Sequence, residues 1–156
     1  MCLRNISLFP RKEFFWYRLR VGNYRVKKEF SFDSAHRLVN GYSGKCSNLH
    51  GHTWKVRIES QAKELDQFGF VRDFSDFKPL KDWIDAELDH ATIISVSDVE
   101  VAKLLQATRQ KYFIVHANPT SENLCKLIFD KALELHLMPS AVEIDETCTS
   151  HARYDG

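Results

Sequence analysis

The chain has 156 residues, 44% of them hydrophobic and 28% charged, the composition of one globular domain able to bury a core without disulfide staples. Lys and Arg number 22 against 21 Asp and Glu, a net charge of +1, which removes the electrostatic case for a nucleic-acid binder. No run approaches the ~18 apolar residues of a membrane-spanning helix, and four scattered cysteines (Cys2, Cys46, Cys125, Cys148) suit neither a zinc finger nor a disulfide framework, so a reducing cytoplasm is the expected setting.

The charge is uneven. Residues 1–28 carry eight basic residues and one acidic residue, Glu13, and the remainder is net negative by six. Residues 1–23 read as a basic aromatic arm and 24–156 as a single folded domain. The apolar stretch Ile6–Tyr17 is broken by Arg11, Lys12 and Glu13, which argues against a signal peptide. The cluster Phe14-Phe15-Trp16-Tyr17 suits an extra edge strand, a docking arm or residues upstream of the natural start. A loosely ordered, solvated terminus is expected rather than an RNA contact.

From Tyr24 to Ser34 polarity alternates, with Tyr24, Val26, Phe30 and Phe32 on one side and Arg25, Lys27, Glu29 and Asp33 on the other. This is a half-buried strand. A loop over 37–49 leads to a second strand, His50–Ser60, with Trp54, Val56 and Ile58 inward. Asp73 is the expected N-cap of a helix reaching Leu88, whose apolar face is Phe77, Leu80, Ile84 and Leu88, with Pro79 in its first turn or at a kink. Ser97 and Glu100 have capping-box spacing before a short helix to about Gln110. A strand over Lys111–His116 follows, then a long helix opened by Asn118-Pro-Thr-Ser-Glu-Asn123, with Leu124, Leu127, Ile128, Lys131 and Leu135 in helical spacing. A last strand, Ala141–Thr149, closes the chain. The order β-β-α-α-β-α-β predicts an α+β fold, a mainly antiparallel sheet covered by helices on one face.

The chemistry concentrates at His36 and at Cys46-Ser-Asn-Leu-His50-Gly-His52. Side chains at i and i+2 of a strand point the same way, so His50 and His52 converge, and Gly51 allows close approach of what they hold. If the two strands pair as a hairpin, His36 lies across from them. Three imidazoles with an open position suit catalytic zinc, although iron or nickel also accepts such ligands. The plainer alternative is two unrelated core histidines and a polar loop. Cys46, four residues before His50, is a fourth ligand, an inert thiol, or a base or nucleophile beside the metal. Glu146 shares the inward parity of Val142 and Ile144, so it is either a solvated strand end or a buried acid awaiting a cationic or amidine-like partner. Asp89-His90 is either a helix C-terminal cap or a carboxylate orienting an imidazole for proton transfer.

Together Phe30-Ser-Phe-Asp-Ser-Ala-His36, Cys46-x-x-x-His50-Gly-His52, Val71-x-Asp73-Phe74, Leu88-Asp89-His90, Asn118-Pro-Thr-Ser-Glu122 and Glu146-Thr-Cys-Thr149 resemble, in order, the motifs of the 6-pyruvoyltetrahydropterin synthase superfamily over residues 24–154. The short gap between Cys46 and His50 is most like its 6-carboxy-5,6,7,8-tetrahydropterin synthase branch, of the queuosine pathway. The absence of Glu from residues 37–49 counts against the branch that works like dihydroneopterin aldolase. The resemblance implies a tunnelling fold with a four-stranded antiparallel sheet, two main helices packed on one face, and trimers stacked into hexamers with active sites at subunit interfaces. It implies one Zn2+ per subunit on His36, His50 and His52, and Cys46 as general base. Asp89 and His90 become a proton relay, from a different chain than Cys46. Glu146 becomes the pterin anchor, helped by Thr120, Ser121 and Glu122. The implied reaction is a lyase conversion of 7,8-dihydroneopterin triphosphate to 6-carboxy-5,6,7,8-tetrahydropterin, acetaldehyde and triphosphate, serving queuosine or 7-deazapurine biosynthesis. The alternatives are triphosphate elimination alone, giving 6-pyruvoyltetrahydropterin, or a non-catalytic zinc- or pterin-binding oligomer. The arm and a longer segment between His90 and Asn118 depart from the family pattern.

Overall fold

The computed structural model describes residues 22–156, so the expected arm lies outside the described residues except for its last two positions. Six strands, β1 (Tyr24–His36), β2 (His50–Ala62), β3 (Ala91–Ser95), β4 (Tyr112–Val115), β5 (Ala141–Thr147) and β6 (Ser150–Asp155), form one sheet in the order β4-β3-β1-β2-β5-β6. Three helices accompany them: α1 (Lys78–Glu87), α2 (Val99–Ala107) and α3 (Ser121–Glu134). No helix among the described residues is long and apolar enough to cross a membrane.

The α+β expectation holds, and the four-stranded antiparallel sheet does not. β1, β2, β5 and β6 pair antiparallel, but β3 joins β1 in parallel and β4 joins β3 in parallel. The unforeseen β3 is Ala-Thr-Ile-Ile-Ser, with four of its five residues buried. A strand covered on both faces has no alternation to read. The expected strand Ala141–Thr149 ends at Thr147, and the chain returns as β6, an exposed edge whose Ala152 and Tyr154 alone pack on the core.

The hairpin β1–β2 sets the two faces. Phe30, Phe32, Trp54, Val56 and Ile58 point inward with Val142 and Ile144 of β5, and α1 and α3 cover them with Leu80, Ile84, Leu124, Cys125 and Ile128. Trp54, Val56, Ile58, Leu80, Ile84 and Ile128 are wholly buried, each stabilising the fold by about 1.5–3 kcal/mol relative to exposure. Covering by helices on one face is only partly right. The buried residue of α2, Leu105, stands outside this cluster and borders a hollow on the opposite face with Ala35, Thr53 and Thr92.

Two caps also differ from expectation. Asp73 caps a 3-10 turn, Phe74–Phe77, by accepting the Ser75 N–H at 2.7 Å, and α1 follows with Pro79 in its first turn. α2 is capped by Asp98, which accepts from Val101 N, while the Ser97 hydroxyl is used on Asn40. On the outer face Arg57 forks onto Asp145, and Glu59 is buried among Arg25, Lys27 and Arg153. This explains how an outward carboxylate tolerates burial.

Candidate metal centre

The hairpin register pairs His36 with His50 and Ser34 with His52, so all three imidazoles project from the inner face where β1 and β2 open into the loop 37–49. His36 Nε2 and His50 Nε2 stand 3.1 Å apart. The other nitrogen of each ring faces a carbonyl: His36 Nδ1 lies 2.7 Å from Pro119 O, and His50 Nδ1 lies 2.8 Å from Asn48 O. A carbonyl only accepts, so both Nδ1 atoms carry a proton, and in neutral rings both Nε2 lone pairs then face a common point. Two lone pairs at that distance repel unless a cation lies between or beside them.

His52 completes the set. Its Nε2 is buried with no hydrogen-bond partner. Glu146 Oε1 is 3.5 Å away, close enough for charge attraction but not directed as a hydrogen bond. One ligand atom from each of His36, His50, His52 and Glu146 falls within 4.8 Å of every other. Burial lowers the affinity of His36 for a proton, opposed by the Pro119 carbonyl and reinforced by His50. Burial does the same to His52, opposed by Glu146. Neutral imidazoles with aligned lone pairs, carbonyls fixing their tautomers and an orphaned buried nitrogen fit a divalent ion of zinc type. Trp54 forms the floor, with its ring centre 5.0 Å from that of His36 and 5.2 Å from that of His52.

The donor set is not quite the one the sequence suggests. Glu146, not Cys46, stands among the histidine nitrogens. Its second oxygen accepts the Ser121 hydroxyl at 2.6 Å, so it is neither a solvated strand end nor free of partners. Gly51, expected to allow close approach of what the histidines hold, lies on the outer face, where an added Cβ would find its nearest atom at an ordinary 3.5 Å.

A cavity of about 270 Å3 opens beside the cluster, lined by His36, Cys46, Thr120, Ser121, Glu122 and Glu146 together with Leu38, Ser150 and His151. The structure thus gathers eight of the sequence-selected residues: the three histidines and Glu146 in the donor cluster, with Cys46, Thr120, Ser121 and Glu122 beside them. Thr120 also lines the cavity, but its hydroxyl caps α3 through Asn123 N. Ser150 and His151 were not foreseen because β6 was not. Tyr42 is a second omission. Its phenol is held above the ordinary tyrosine range chiefly by interaction with Cys46, and its ring lies across Gly44, where any Cβ would collide with the hydroxyl. Among the other described thiols, burial pushes Cys125 up to about 12, which leaves it inert.

Asp89 and His90 are placed elsewhere. One Asp89 oxygen accepts the Asp33 N–H at 2.9 Å and the other lies 2.7 Å from His90 Nδ1. The Asp33 amide, then His90, holds the carboxyl below its usual range against the effect of burial. The side chain therefore ties α1 to β1 rather than capping the helix. His90 has φ 55° and donates its N–H to Asp33 O at 2.7 Å, a left-handed conformation that a β-carbon disfavours and that recurs at functional positions. It borders the larger outer hollow, about 660 Å3, with Asp33, Thr53, Thr92 and Lys111; of the four clustered donor side chains only His52 touches that hollow, and Cys46 does not. The larger hollow is thus not where the donor atoms converge. Within one chain, Cys46 and His90 face different cavities.

Residues 25–156 match the family model described as 6-pyruvoyl tetrahydropterin synthase. A Haemophilus influenzae protein named 6-carboxy-5,6,7,8-tetrahydropterin synthase is 37% identical over 139 residues, covering 84% of this chain and 98% of its own length. A Synechocystis protein of the same name is 35% identical over 136 residues, covering 83% and 91%. Among solved structures, an uncharacterised Wolinella succinogenes protein superposes with a TM-score of 0.72 at 28% identity, covering 86% of this chain and 98% of that one. Caenorhabditis elegans 6-pyruvoyl tetrahydropterin synthase superposes with 0.65 at 22% identity, covering 88% and 98%, which speaks to the fold alone.

Proposed function

The chain belongs to the 6-pyruvoyl tetrahydropterin synthase family, and from that premise we propose that it is a zinc-dependent lyase. Its substrate is 7,8-dihydroneopterin triphosphate, and with one water the products are 6-carboxy-5,6,7,8-tetrahydropterin, acetaldehyde and triphosphate. The carrying observation is the orphaned His52 Nε2 beside the facing Nε2 atoms of His36 and His50, in reach of a cavity that also holds Cys46. The branch rests on the relatives named 6-carboxy-5,6,7,8-tetrahydropterin synthase, which match over most of the chain.

His36, His50 and His52 would hold the ion, with the Glu146 carboxylate beside them left to the substrate. Zinc bound there supplies a Lewis acid that polarises the substrate's side-chain hydroxyls and makes adjacent C–H protons removable. Cys46 acts as general base on that side chain. Glu146, fixed by Ser121, accepts the pterin's amino and ring N–H groups, a two-point recognition of amidine geometry. Glu122 and the α3 N-terminus border the ring.

Asp89 orients His90 and keeps the proton on its Nδ1, so Nε2 exchanges protons with the substrate. Because His90 faces a different cavity from Cys46, we assign the relay to the site of a neighbouring copy in a closed ring, a hexamer in the family arrangement. The product serves queuosine or another 7-deazapurine pathway in this reading.

The test is mass spectrometry of products from zinc-loaded protein and 7,8-dihydroneopterin triphosphate. A 6-carboxytetrahydropterin mass with released acetaldehyde is expected. A 6-pyruvoyltetrahydropterin mass would overturn the branch, and intact substrate from a metallated oligomer would overturn the enzyme.

A further inference from the structure

The loop 37–49 carries Cys46, yet none of its thirteen residues is buried. Apolar burial therefore does not hold the thiol at its cavity, and a segment so exposed opens readily unless polar contacts fix it. Those contacts come from Ser97 and Asp98, at and just before the start of α2, and from Asn118. Arg37, next to the metal donor His36, places Nε at 2.6 Å and Nη2 at 2.5 Å from the two oxygens of Asp98. The Asp98 carboxylate is 3% exposed and also caps α2. A planar two-point fork fixes direction as well as distance.

Two further clamps continue along the loop. Asn118 behaves like a strand partner of Val39, accepting its N–H at 2.9 Å and donating to its carbonyl at 3.1 Å. Ser97, beside Asp98, donates to Asn40 at 2.8 Å. Asn40 and Gly41, at φ 61° and 85°, then reverse the chain in the primed-turn conformation that Asn-Gly favours. Leu38 N donates to Cys46 O at 2.8 Å and closes the loop. Each contact upstream thus determines where Cys46 arrives.

We propose that Asp98 is a positioning residue for Cys46, acting through the Arg37 fork to hold the thiol at the cavity containing His36 and Glu146. This rests on the reading of Cys46 as the base. Asp98 touches neither the substrate cavity nor the metal donors, so its loss acts on the chemical step rather than on ring or metal binding.

The test uses the zinc-loaded oligomer and compares wild type with Asp98→Asn, which retains a cap acceptor while losing the charged fork. Zinc per chain and KM are expected to stay near wild type, while kcat falls about 10- to 100-fold, the range set by ångström-scale misplacement. Alkylation of Cys46 by iodoacetamide, read on its own peptide by mass spectrometry, is expected to rise at least about threefold as the loop opens more often. Arg37→Lys keeps the charge without the fork and is expected to fall between the two, serving also if Asp98→Asn fails to fold. Unchanged kcat and alkylation in a folded variant would overturn the proposal, as would a loss of kcat that follows loss of zinc. Alkylation requires no turnover, so the clamp stands or falls by that readout even if wild type makes no pterin product.

Discussion

The Asp89 carboxylate lies 2.7 Å from Nδ1 of His90. Its other oxygen is committed to the Asp33 amide, so the imidazole is oriented by a group that is itself held in place. Asp89→Asn retains an acceptor for the Asp33 N–H but turns a donor toward Nδ1 and favours the wrong tautomer. The expected loss is about 10²- to 10⁴-fold in kcat, with zinc content and melting temperature near wild type. Steady-state kinetics beside metal analysis checks this.

Cys46 and His90 facing different cavities leads to a complementation experiment. Cys46→Ala and His90→Ala are each expected to be inactive alone. Mixed by unfolding and reassembly, they are expected to regain a fraction of wild-type activity, because some interfaces then carry both intact groups. Mixtures no more active than their components would place both groups in one chain's site.

Removing a donor tests the metal centre. His52→Ala is expected to reduce bound zinc from about one per chain to near zero at micromolar free metal, whereas Cys46→Ala retains it. Zinc at a hundred times its dissociation constant is expected to stabilise wild type by about 2.7 kcal/mol and His52→Ala hardly at all. Metal analysis and thermal melts with and without a chelator decide the matter.

The Ser121 hydroxyl donates to Glu146 at 2.6 Å. Ser121→Ala removes one fixed contact from the carboxylate, worth about 1.5–3 kcal/mol when the acceptor is charged. The expected effect is a rise in KM of about tenfold with a smaller change in kcat. A change confined to kcat would detach Glu146 from substrate binding.

The Arg37 fork holds the Asp98 carboxyl below its ordinary range against the effect of burial. A carboxyl depressed in the folded state contributes stability that is fully present above its unfolded value, about 4, and is lost as pH falls through the lower folded value. Asp98→Asn lacks this contribution. Wild type is expected to exceed it by about 1–3 kcal/mol from pH 7 to 5, with the gap closing below about pH 4. Urea unfolding at stepped pH measures the difference, and a gap that widened in acid would contradict the assignment.

The three histidines were legible because strand parity and one hairpin suffice to bring them together. The helix face Phe77, Leu80, Ile84 and Leu88, all buried, was legible for the same kind of reason. β3 was hidden because burial on both sides removes its alternation, and β6 because an exposed edge strand carries little of it. The placing of Glu146 beside the three histidines rests on Ser121, twenty-five residues away, and no local pattern encodes that. The separate cavities of Cys46 and His90 followed from the resemblance alone and from no local pattern, since they depend on where β3 docks against β1.

That separation changes what a catalytic unit is. Under the proposed assignment, one chain owns a base without its relay and a relay without its base. A row of copies with free ends has one complete centre fewer than it has members, and only a closed ring has as many centres as chains. Turnover per chain then counts contacts between copies, and dilution to monomers extinguishes it while every chain keeps its fold and its ion.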